Sequence, residues 1–325
     1  MSRSNLVLRN TAYSCLAVFL IFAVAYVPML LKIGYNYDLQ VASNVVFMVV
    51  GLSVTFGLFR GGVGESKVAG RVRIVFGLLV LFVFLEEVLL NSMLAFYGLA
   101  LAMVGLVLMP VLAVSLGREN GWLRTALEAV ALIFATRVVL SPFPADFFNL
   151  SFFLPVIYTL ILVSLVLYMT YRGILSRDVR ISKGNSKMGT QMFYGLCAGA
   201  FVGVVEFFVL RPQPIPVGGD FIRVFVYSLI VMGVMVSVAE ELLFRGLLQS
   251  SLERVMPAWQ AIGFSSIMFG LMHIGWMNPL EVLLAYGAGV LFGYMATSTD
   301  SLIAPVTAHA FGNVFLYVIA FFAHA

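Results

Sequence analysis

The sequence predicts an all-α, polytopic transmembrane bundle of about eleven helices. Three observations predict it. Of the 325 residues, 62% are hydrophobic and only 10% charged, against about 25% charged in a soluble domain. The apolar excess runs along the whole chain, with no long polar domain. The Lys and Arg residues gather in short gaps between apolar runs, and they favour alternate gaps. A soluble fold of this size could not hide so much apolar surface, so the bilayer serves as solvent and membrane lipids are the first expected partner. The net charge of +4 then sets topology, and no nucleic-acid partner is expected.

The spans follow in order. A spanning helix needs about 20 apolar residues, and the runs that qualify are 11–31, 41–59, 74–92, 93–116, 123–140, 152–171, 190–210, 222–250, 258–275, 280–298 and 302–323. The first begins after Arg3 and Arg9 and resembles a signal peptide, but its 21 residues exceed an h-region of about 7–15, and no A-x-A site follows. It reads as a retained helix. Between 74–92 and 93–116 only Asn91 and Ser92 mark a break. Cys15 and Cys197 both fall inside apolar runs, give no disulfide framework, and read as small core residues.

Loop charges orient the bundle. One set of gaps holds Arg3 and Arg9, then Arg60, Lys67, Arg71 and Arg73, then Arg118 and Arg124, then Arg172, Arg177, Arg180, Lys183 and Lys187. The intervening gaps hold Lys32 with Asp38, then no charge, then Asp146, then Arg211 and Arg223 around Asp220. Positive charge stays inside, so the N-terminus is expected in the cytoplasm and the C-terminus outside, most simply at the cell membrane. The polar stretch 172–189 contains Gly184, Asn185 and Ser186 and reads as a flexible, basic cytoplasmic linker. It divides residues 1–171, N-terminal helices with no assigned role, from residues 190–325, where the chemistry lies.

Ionisable side chains inside a membrane cost about 2.5–3.5 kcal/mol each on insertion scales, so each needs a reason. Glu240, Glu241 and Arg245 form one cluster. Residues 241 and 245 share a helical face, and Glu240 lies about 100° round from Glu241. One carboxylate can pair with Arg245 while the other stays available as a general base. Taken alone, the cluster also fits a solvated helix end. Phe269 and His273 are one turn apart, and so are His309 and Asn313. The imidazole and amide of the last pair can both donate hydrogen bonds, as an oxyanion hole requires, although interhelical polar contact explains them too. Glu240 lies 14 residues before Arg254 and His273 lies 16 after Pro257. At about 1.5 Å per residue both sit about 21–24 Å from the hairpin turn between them, so they can meet. Glu86, Glu87 and Arg137 lie at similar depth and read as a structural ion pair. Glu206 has no assigned partner, and His324 is terminal.

Glu240-Glu241-x-x-x-Arg245, Phe269-x-x-x-His273 and His309-x-x-x-Asn313, in that order over residues 222–323, resemble the motifs of the CPBP family of intramembrane proteases. That family holds the type II CAAX prenyl endopeptidases (Ras-converting-enzyme type) and abortive-infection proteins. The resemblance implies a C-terminal CAAX-protease-like core that hydrolyses a peptide bond near the C-terminus of prenylated or other membrane-associated proteins. Glu240 and His273 would activate the water, His309 and Asn313 would stabilise the oxyanion, and Glu241, Arg245 and Phe269 would support them. Zinc on Glu240, His273 and His309 is the alternative. No H-E-x-x-H helix is present, so a metal-free glutamate mechanism with no cofactor is expected. The rival readings are a membrane transporter or channel, which should show paired broken helices in two related halves, and a catalytically silent immunity or scaffold protein of the same fold.

Overall fold

The computed structural model describes residues 67–118, 120–140, 150–212 and 220–324. Among the described residues nine longer helices follow one another: α1 (Lys67–Leu90), α2 (Ala95–Leu116), α3 (Gly121–Leu140), α4 (Leu150–Arg172), α5 (Met188–Leu210), α6 (Phe221–Leu252), α7 (Ala258–Leu271), α8 (Pro279–Thr299) and α9 (Ile303–His324). No strand occurs among the described residues, and the protein is an all-α, multi-pass membrane protein. The expected spans 11–31 and 41–59, Cys15 and Asp146 lie outside the described residues.

Six of these helices, α2, α4, α5, α6, α8 and α9, are long and apolar enough to cross a membrane. The others differ from the expected spans for physical reasons. α1 and α3 carry ionisable side chains that hydrocarbon would not tolerate unpaired, and α7 has only 14 residues, too few for a bilayer core of about 30 Å. The expected helix 258–275 ends early because His273 leaves the helix, a 3₁₀ turn follows at Ile274–Trp276, and Asn278 caps the next helix at Leu280 N.

α6 is the axis of the molecule. α3, α4, α7, α8 and α9 all pack against it. Its backbone is α-helical at Phe221–Tyr227 and Ser237–Glu241 but opens into π-helical turns at Ser228–Val236 and Leu242–Gln249. Such turns are uncommon and gather at functional sites. Here they flank the acidic pair on both sides. One apolar core joins Phe76 and Val80 of α1, Leu127 and Phe134 of α3, Leu243 and Leu247 of α6, and Phe264 of α7. The helices before residue 171 and those after 190 therefore share a core.

α5 runs along α9 at close range. Gly199 faces the Ala308 carbonyl, and a Cβ at Gly203 would lie 2.6 Å from Gly312 O. Small residues permit this approach of two backbones. Cys197 lies on the opposite, exposed side of α5, a correction to its reading as a core residue, because the glycine face is the one that packs.

Residues 172–189 are not a loose connection. Arg180 is buried and bonds Glu253 at 2.5 Å and Asp300 at 3.5 Å. Asn185 N donates to Thr299 O at 2.7 Å, and Leu302 N donates to Arg180 O at 3.0 Å. The polar composition that reads as flexibility is spent on docking to the ends of α6 and α8.

Candidate active site

The acidic pair sits in the short α-helical stretch of α6, with Glu241 turned inward and Glu240 turned toward α4 and α9. Glu241 is fully buried. Its Oε1 accepts from Arg245 Nη1 at 2.8 Å and from His309 Nδ1 at 2.8 Å. Arg245 is equally buried and stands 4.3 Å from the centre of the Phe269 ring, where the ring face stabilises the guanidinium. Removing one member of a buried ion pair costs about 3–5 kcal/mol, so this network holds α6, α7 and α9 in register. Of the two carboxylates, Glu241 is the one committed to Arg245.

Glu240 is placed differently. Its Oε2 lies 3.7 Å from His309 Nε2, and its Oε1 accepts from the hydroxyl of Tyr158 on α4 at 2.5 Å. It is partly exposed to a cavity of about 150 Å³ that is also lined by His273, Arg137, Tyr158, Phe269 and Trp276.

His273 follows the last turn of α7. Its Nδ1 lies 2.9 Å from Phe269 O, a carbonyl near the helix end. A carbonyl can only accept, so Nδ1 carries the proton in this contact and Nε2 keeps a lone pair. The Phe269 and His273 rings are 4.8 Å apart, and Phe269 meets His309 edge-on at 5.8 Å. Phe269 is therefore a platform shared by Arg245 and both imidazoles.

His309 and Asn313 are one turn apart on α9, next to the residues that meet α5. The Asn313 amide donates to Met232 O at 3.1 Å and lies 3.4 Å from Ser237 Oγ. Ser237 Oγ bonds the same carbonyl at 3.0 Å. Met232 belongs to the first π-helical turn, so that widened turn supplies the acceptor that orients Asn313. His273, His309 and Asn313 line a second, smaller cavity of about 40 Å³ together with Glu206 and Glu281. The four residues expected to act together thus lie around two adjoining chambers. His273 lines both, and the contact from Glu240 to His309 bridges them.

Three features of this neighbourhood are not evident in the sequence. Tyr158 is an unremarkable position in an apolar helix. Glu281 looks like an ordinary acidic residue in the first turn of α8, yet it is 2% exposed and its Oε2 has no hydrogen-bond partner among the described residues. Arg137 does pair with Glu87, at 2.5 Å, but it also donates to Met272 O at 2.8 Å and lines the larger chamber. It therefore joins the site to α1 and α3.

Among the described residues, no three His, Cys, Asp or Glu side chains are grouped to hold a metal ion. In the alternative zinc set, Glu240, His273 and His309, the two histidines hold Nδ1 on Phe269 O and Glu241 Oε1, so Nε2 is the ring nitrogen each would offer a metal. No step below is routed through a metal.

Residues 222–315 match the family model described as type II CAAX prenyl endopeptidase Rce1-like. No curated protein and no solved structure matches the chain. The matched stretch runs from the start of α6 into α9 and holds Glu240, Glu241, Arg245, Phe269, His273, His309 and Asn313, while Tyr158 and Arg137 lie outside it. The matched family is one of peptidases, hydrolases working within the membrane. Over residues 222–315, less than half of its length, the chain is similar to the Rce1-like type II CAAX prenyl endopeptidases.

Proposed function

We propose that the protein is an intramembrane endopeptidase that cleaves near the C-terminus of prenylated CAAX or other membrane-associated proteins, with a water activated by Glu240. The observation that carries this reading is the division of labour in the acidic pair. Glu241 Oε1 is held by Arg245 and His309 inside the protein, whereas Glu240 faces a chamber of about 150 Å³, room for water beside a substrate carbonyl. Glu240 takes a proton from the water, assisted by the free Nε2 of His273. The resulting hydroxide attacks the scissile carbonyl carbon. Negative charge then gathers on the carbonyl oxygen, where Asn313 donates a hydrogen bond and His309, whose Nδ1–H is held by Glu241, donates from Nε2 in the form protonated on both ring nitrogens. The C–N bond breaks as the tetrahedral intermediate collapses, and the leaving amine takes the proton held by Glu240. The carboxylate is thereby regenerated with no net change in protonation.

The test is cleavage of a farnesylated C-a-a-X peptide by the purified full chain in detergent or proteoliposomes. Cleavage is expected, and it is expected to survive a membrane-permeant chelator. Loss of activity on chelation with recovery on added zinc would overturn the metal-free mechanism. Absence of cleavage for every membrane-associated peptide tried would favour a silent scaffold.

The loop charges further support a cytoplasmic N-terminus and a cytoplasmic 172–189 segment in the cell membrane; with α7 too short to cross, the four crossings of α5, α6, α8 and α9 return Ala325 to the cytoplasmic side, in place of the external end that eleven spans would give. Single cysteines placed at Lys183 and Ala325 in a cysteine-free background distinguish the orientations. An impermeant thiol reagent is expected to label positions 183 and 325 only after permeabilisation. The reverse pattern would invert the topology.

A further inference from the structure

We infer that Tyr158 is a positioning residue for Glu240, so that α4, outside the family-matched segment, completes the active site. The inference rests on the proposed glutamate mechanism. A glutamate side chain has several rotatable bonds, and at the edge of a chamber it can turn away from its substrate. Cations lie in two directions: Arg137 across the larger chamber, and Arg245 one turn along α6. Each already has a carboxylate, Glu87 at 2.5 Å and Glu241 at 2.8 Å. The donor that reaches Glu240 is the Tyr158 hydroxyl, at 2.5 Å from Oε1. It holds one oxygen on the α4 side and leaves Oε2 facing His309 Nε2 at 3.7 Å.

The choice of donor matters. A guanidinium on Oε1 would neutralise the charge that the general base needs. A phenol fixes the carboxylate's direction and stays neutral. α4 is well placed to do this, because it packs along the part of α6 that runs from the first π-helical turn into the acidic pair. The tyrosine also lines the larger chamber with His273. It therefore sits where a water between base and substrate would be held.

The experiment compares wild type, Y158F and a chain carrying 3-fluorotyrosine at position 158, each as purified full-length protein with a cleavable prenylated peptide. Y158F is expected to lower kcat by about 10- to 100-fold, the range that a small misplacement of a catalytic group produces. KM and the thermal midpoint should stay unchanged. The fluorinated residue keeps the hydroxyl and should restore kcat to within a few-fold of wild type. An unchanged kcat in Y158F overturns the assignment. So does a raised KM at constant kcat, which makes Tyr158 a substrate contact, or an equal loss in both variants, which makes it a packing residue. If Y158F does not fold, the fluorinated chain is compared with one carrying 3-methoxytyrosine, whose substituent competes for the hydroxyl proton. Equal kcat in those two also overturns the assignment. E240Q separates this from the wider reading. Wild-type turnover in E240Q removes the glutamate mechanism itself, whereas a dead E240Q beside a normal Y158F removes only the role of Tyr158.

Discussion

Glu240→Gln should lower kcat by about 10²–10⁴-fold, the usual contribution of a general base, and leave the helix bundle intact. The amide has nearly the shape of the carboxylate. It can still accept from the Tyr158 hydroxyl through its oxygen, and it remains beside His309. What it cannot do is take a proton from water. Because Glu240 carries no ion pair to Arg245, its neutralisation orphans no buried cation, and the thermal midpoint should move little. The same substitution at Glu241 would remove the negative charge paired with the buried Arg245 guanidinium and act through folding. Turnover of a prenylated peptide together with a thermal melt separates the two cases. Peptide cleavage at the wild-type rate in Glu240→Gln would end the assignment of the base.

Asn313→Ala should cost about 10²–10³-fold in kcat, the loss seen when one oxyanion donor is removed. The Asn313 amide has two N–H donors. One is anchored on Met232 O at 3.1 Å, which fixes the plane of the group. The other is then aimed by that plane, with Ser237 Oγ at 3.4 Å as a weak competitor. An interaction gained only as charge develops lowers kcat and kcat/KM by equal factors when lost, so KM should be unaffected. Steady-state kinetics decide the point: a rise in KM with constant kcat would make Asn313 a binding residue, and no change in either would remove it from the site.

The helices and the reactive pairs were legible in the sequence for different reasons. Long apolar runs between basic loops gave most span positions to within a few residues, because a bilayer imposes one length on every crossing. The i, i+4 spacing put Glu241 with Arg245, since residues one turn apart must share a face. Depth counting anticipated the pairing of Arg137 with the Glu86–Glu87 step. Tyr158 was not legible: it lies 82 positions from Glu240, and an aromatic residue in an apolar helix leaves no trace in periodicity. The π-helical turns were equally invisible, because a helix apolar on most sides has no phase to read. Residues 172–189 misled because composition reports polarity and not partners. Arg180 is buried on Glu253 and Asp300, at sites that only the fold brings together.

The glycine face between α5 and α9 sets a mechanical tolerance for the chemistry. His309 Nδ1 is 2.8 Å from Glu241, and a hydrogen bond is lost beyond about 3.5 Å, so α9 has only about 0.7 Å of travel before its imidazole lets go. A side chain at Gly199 would meet the backbone of Ala308, the residue just before His309, and would have to push α9 away from α5. The accuracy of the site is thus held from behind, by positions that contribute no side chain at all.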